Sequence, residues 1–226
     1  MLTPILTDDF QVIIEEFGEP ETIRPLSEED VKRFEGRMPR ALVDFYKAYG
    51  ICQFWDGLLR LCDPDAMHGV LKLAFGRDHD LDPARCCVVA YSAFGELVIW
   101  SEKFQRVFLS LTDLVLRSRV LEDSSRRVPD EDRAAAFLFA SGRKDYDFAD
   151  SEGKLLYERC RSRHGALEHD ECFGFFPALL VGGTADIGSV RRVKALEHFA
   201  ILAQLDRPTF VRVLENGQTE AIRKVG

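Results

Sequence analysis

The sequence predicts an α+β fold: N-terminal helices with a small antiparallel sheet, followed by a mainly helical second half. Three observations predict it. Apolar residues recur at three- and four-residue spacing up to Gly50, three strand-like runs then follow one another between Cys86 and Leu111, and helical spacing returns after a polar stretch at 117–130. Helices followed by neighbouring strands, without strict alternation, indicate α+β rather than a parallel α/β sheet.

Asp8 to Phe17 reads as an amphipathic helix, with Phe10, Ile13, Ile14 and Phe17 on one face and Asp8 or Asp9 available as its cap. Gly18 and Pro20 stop it. Ser27 caps a second helix, whose first turn holds Glu28, Glu29 and Asp30, acids that suit the positive end of the helix dipole. Pro39 fits the first turn of a third helix, Arg40 to Tyr49, ended by Gly50; Leu42, Phe45, Tyr46 and Tyr49 recur along it as core.

After Gly50 the period changes. Gly57 to Cys62 is strand-like, and Asp63-Pro64 opens a helix through Phe75. Cys86 to Tyr91, Glu96 to Trp100 and Gln105 to Leu111 are strand candidates, the first two joined as a hairpin by Ser92 to Gly95. The polar stretch 117–130 marks the expected boundary between domains 1–125 and 126–226. Beyond it, Asp130 to Ala140, Ser151 to His164 and Lys194 to Leu205 read as helices, with a terminal strand from Thr209 to Leu214. Between those helices, His169 to Thr184 carries Phe173, Phe175, Phe176 and the pair Gly182-Gly183 with little charge, and is expected to be buried beside close-packed backbone.

A hydrophobic fraction of 46%, with 17 Phe, supplies enough apolar area for a real core and argues against disorder. No run approaches the roughly 20 apolar residues that cross a bilayer, and the first ten residues lack a basic start and a long apolar stretch. A cytosolic protein without a membrane partner is expected, with its six Cys reduced. Residues 1–125 hold 22 Asp and Glu against 14 Lys and Arg, whereas residues 126–226 hold 16 of each. The acidic half repels phosphate backbones and attracts basic proteins, so direct nucleic-acid binding is disfavoured.

Motifs for catalysis are missing. There is no Gly-x-Ser-x-Gly elbow, no local cysteine-protease signature, and no motif partner for the scattered His residues. Asp78, Asp80 and Asp82 alternate like a calcium loop but lack its Gly and its closing Glu. Cys160, His164, His169 and Cys172 are the right types for zinc within a short span, in an order uncommon for zinc sites. The expectation is a binder with no cofactor and no catalytic residues. A zinc-dependent hydrolase built on that Cys-His cluster and a cytosolic scaffold are the alternatives.

The run from Arg40 to Gly50, followed by Gly57 to Pro64 and Ala93 to Trp100, resembles the GAD-like domain. Asp170 to Gly183 and Val193 to Leu205 resemble the C-terminal domain of type VI secretion DNase immunity proteins. The resemblance implies a protein that binds a cognate nuclease toxin and protects the producing cell. It supplies no catalytic residues. A nuclease exposes a positive surface to hold DNA, so the expected partner contacts are acidic: Asp78, Asp80, Asp82, Glu28, Glu29 and Asp30.

Overall fold

The structure is a computed structural model that describes residues 6–214 and 216–226. Helix α1 (Asp8–Phe17) buries Phe10, Ile13 and Phe17, as their spacing requires, and leads into strand β1 (Glu21–Arg24). Helix α2 (Glu28–Lys32) opens with a capping box in which Ser27 and Asp30 satisfy each other's backbone N–H groups. Helix α3 (Arg40–Tyr49) follows Pro39 and buries Leu42, Phe45 and Tyr46. Strands β2 (Ile51–Phe54) and β3 (Leu59–Leu61) precede helix α4 (Pro64–Phe75), capped by the Asp63 side chain.

Strands β4 (Cys86–Ser92), β5 (Glu96–Ser101) and β6 (Gln105–Ser110) form the expected meander, continued by β7 (Val115–Arg117). Helices α5 (Arg119–Glu122), α6 (Glu131–Ala136) and α7 (Tyr157–His164) come next. A hairpin of β8 (Glu171–Phe175) and β9 (Val190–Lys194) then leads into α8 (Ala195–Leu202), and β10 (Thr209–Val213) and β11 (Thr219–Lys224) follow it.

The fold departs from the expected one. Instead of a small sheet and a mainly helical second half, nine strands form one mixed sheet in the order β1-β2-β3-β4-β5-β6-β7-β10-β11, and β8 and β9 form a second sheet. The second half supplies four of these strands. The expected terminal strand is β10, whereas β9 and β11 escape a reading by period because their exposed sides carry Arg, Lys and Glu, and β8 because it buries nearly every residue and so shows no alternation. The predicted helix from Ser151 shrinks to α7, because Asp150 accepts hydrogen bonds from the backbone of Glu152 and Lys154 and holds a turn.

Both faces of the large sheet are covered. Cys87, Val89, Val98, Trp100 and Phe108 point to one core, shared with α1, α3, α6 and the aromatic side chains of β8. Cys86, Val88, Leu97, Ile99 and Leu109 point to the other, shared with α4 and α8. Alternation along each strand is therefore apolar on both sides, which explains the uninterrupted apolar runs. The parallel pairing of β10 with β7 extends the sheet across residue 125.

Candidate functional site

Asp78 does not face solvent: its carboxylate is 3% exposed. It accepts from the backbone N–H of Asp80 at 3.0 Å, Leu81 at 3.1 Å and Gly226 at 3.2 Å, and from both terminal nitrogens of Arg223. These donors hold its carboxyl far below the usual carboxylate range despite burial. Asp80 takes a further hydrogen bond from Arg223 at 2.9 Å and one from Lys103 at 3.1 Å. Asp82 is exposed and caps a short turn through Ala84 N–H. The loop thus ties β11 to the end of α4.

Glu28 and Glu29 are exposed at the start of α2, while Asp30 closes the capping box and pairs with Arg33 at 3.4 Å. Arg33 also reaches Asp63 and Asp65 at the start of α4. The two predicted acidic groups therefore stand at opposite ends of the twelve-residue α4, roughly 18 Å apart along its axis. They are not one patch.

The first thirty residues are the strongly acidic part of the chain. Asp8, Asp9, Glu15, Glu16, Glu19, Glu21, Glu28, Glu29 and Asp30 precede position 31, against Arg24 alone, so the chain's whole formal charge of −8 resides there. Strand β1 is the edge of the sheet, and α1 lies beside it with Phe17 against Phe54 of β2. Glu19 accepts from the Tyr49 hydroxyl and Glu21 from Gln53. Among the described residues, Glu15, Glu16, Glu28 and Glu29 form no ion pair.

Far along the sheet, β6, β7 and β10 form the floor of an open groove of about 1130 Å³, with α6 at its side. Phe108 lies on that floor, with the Arg106 guanidinium 4.4 Å from its ring centre and that of Arg117 at 5.8 Å. Glu96 pairs with Arg117; burial pushes the Glu96 carboxyl up to about 7 against the pull of that arginine. Arg106 donates to Ser141 Oγ at 2.7 Å.

The four zinc-type residues are not brought together. Cys160 belongs to one core and Cys172 to the other, and both thiols are buried. Burial pushes the Cys160 thiol up to about 11. Among the described residues, the one group of three such side chains with converging ligand atoms is Asp78, His79 and Asp80, where Arg223 already engages both carboxylates.

Residues 8–112 match the GAD-like domain, and residues 132–206 match T6SS immunity protein Tdi1, C-terminal. The chain belongs to the type VI secretion immunity proteins. The crystal structure of Atu4351 from Agrobacterium tumefaciens aligns with a TM-score of 0.86 over 97% of each chain; at 24% identity, this likeness shows a shared fold. No curated protein matches the sequence.

In this immunity protein the two matched stretches are bound together by Arg60, a residue that pattern reading passed over. Arg60 is 1% exposed. It donates to the carbonyls of Glu168 at 2.6 Å, Glu171 at 2.8 Å and Leu167 at 3.3 Å, and so anchors the start of β8 on β3. The signal was present as a lone cation inside the apolar run from Gly57 to Cys62. The groove is different: Arg117, Arg119 and Arg126 fall between the matched stretches and Val213 and Leu214 lie beyond them. Polar composition there read as a domain boundary.

The stretch expected to be buried divides in two. Phe173 and Phe175 are buried, but Phe176 is 47% and Val181 60% exposed, presented by a loop in which Asp186 accepts from Gly188 N–H and Ser189 N–H. No helix among the described residues is long and apolar enough to cross a membrane.

Proposed function

We propose that this immunity protein binds and neutralises a DNase effector of the type VI secretion system in the cytosol, acting as a binder and not as an enzyme. Its acidic edge docks on the positive surface with which the nuclease would hold DNA. The observation that carries the reading is that the residues before position 31 sum to −8 while the rest of the chain sums to zero. A concentrated acidic edge steers a cationic partner and sets register. Glu28, Glu29 and Asp30 belong to this edge. The 78–82 loop, through the exposed Asp82, is a second contact beyond the far end of α4. In this reading residues 1–125 supply the acidic contacts and residues 126–226 brace them through the Arg60 anchor.

The test is a quadruple reversal, Glu15→Lys, Glu16→Lys, Glu28→Lys and Glu29→Lys, titrated with catalytically inactivated effector at low and moderate salt. Each rim charge reversed costs on the order of 0.5–1 kcal/mol, so affinity at low salt falls about 30-fold or more and the salt slope flattens. Unchanged affinity and slope would remove the edge from the interface. A second arm reverses Asp82 alone.

A further inference from the structure

We propose that the groove over β6, β7 and β10 is a second docking site, and that it takes a carboxylate-bearing, partly apolar segment of a protein partner. The identity of that partner as the effector rests on the immunity reading; the chemistry of the segment is argued from the groove itself.

Its charges are unbalanced. Of the carboxylates lining the groove, Glu96 is committed to Arg117, Glu122 to Arg212 at 3.1 Å, and Asp145 to the backbone N–H of Gly142 at 2.8 Å. Arg126 has Asp123 at 3.6 Å. Among the described residues, Arg106 and Arg119 pair with no carboxylate. The Nε atoms of Arg106 and Arg117 are buried and have no acceptor. Those two atoms are shielded from the groove, so the donors open to an incoming carboxylate are the terminal nitrogens, above all those of the exposed Arg119, which offers charge-assisted, forked hydrogen bonds.

Shape and apolar lining select the rest of the occupant. Phe137 at 39%, Val213 at 53% and Leu214 at 37% exposure stand along the groove beside these cations, over a floor of Phe108. Exposed aliphatic and aromatic groups interleaved with arginine are the composition of an interface centre. The groove is open and runs across three strands, which suits an extended peptide. A nucleic-acid backbone suits it less: Glu96, Glu122 and Asp145 line the same walls, and the chain as a whole is acidic.

The test uses the full chain and catalytically inactivated effector, with Arg119→Glu, Arg119→Gln and Arg106→Gln variants. Among the described residues Arg119 makes no ion pair, so its variants are expected to keep the wild-type thermal midpoint and remain informative if Arg106→Gln is destabilised. The expected result is a loss of affinity of tenfold or more for Arg119→Glu, a smaller loss for Arg119→Gln, and effector-induced slowing of amide exchange in β7 and β10. Wild-type affinity in all three variants, with effector still bound by the parent chain, overturns the groove proposal and leaves the acidic-edge reading standing. Failure of the parent chain to bind effector at all sinks the immunity reading, and the assigned occupant with it.

Discussion

Glu96 and Asp78 are both carboxylates drawn out of water, and their surroundings send them in opposite directions. Asp78 collects donors from three backbone N–H groups and Arg223, so its charged form is favoured in the folded state. Its stabilising contribution is present above the ordinary value of 3.8 and is lost as pH falls below it. Glu96 has one arginine and a buried setting, which push it up to about 7 from an ordinary 4.5. The folded state then holds that proton more tightly than the unfolded chain does. Stability is therefore greatest below the ordinary value and declines as pH rises towards 7, levelling beyond it. Urea unfolding of wild type and Glu96→Gln between about pH 5 and pH 8 checks this, with the wild type losing on the order of 1–3 kcal/mol relative to the variant. Parallel pH profiles would show that Glu96 titrates normally.

At the scale of elements, the loop between β8 and β9 is the tightest piece of backbone. A Cβ on Gly183 would lie 1.9 Å from the Pro177 carbonyl oxygen, a contact that only a backbone shift relieves. Gly182 has open space around its Cβ position and a φ of +90°, so a side chain there meets strain without collision. Gly183→Ala should cost about 2–3 kcal/mol and Gly182→Ala about 1 kcal/mol, measured as a difference in denaturant midpoints. Equal losses would mean that the loop rearranges freely.

Elements with one buried stripe and a clear cap were legible in the sequence: α1, α3 and α4 end where Gly18, Gly50 and Gly76 stop them, and the β4–β5 hairpin turns at Ser92 to Gly95. The strands β8, β9 and β11 were not. β9 and β11, one half of a short hairpin and a sheet edge, keep polar outer residues, and β8 is buried along nearly its whole length, so none of them alternates. The candidate acids suffered from the same blindness to distance. Arg223, which claims Asp78, stands 145 residues away in sequence, and no local pattern announces it.

For the whole molecule, the decisive arrangement is one nine-stranded sheet with a core on each face, an acidic edge at β1 and a cationic groove near β10. Charge of opposite sign at separate places allows one partner to be gripped at two points, or two partners to be held at once. The β4 strand offers a way to watch the sheet itself. Cys86 and Cys87 are adjacent in the chain, yet their thiols lie beneath different helical layers, and both are shielded from reagents. Maleimide capture read by mass spectrometry thus becomes a two-channel clock for transient opening. Matching labelling rates at the two sulfurs indicate that both layers lift together as one cooperative unit; a faster rate at either would identify the layer that peels away first.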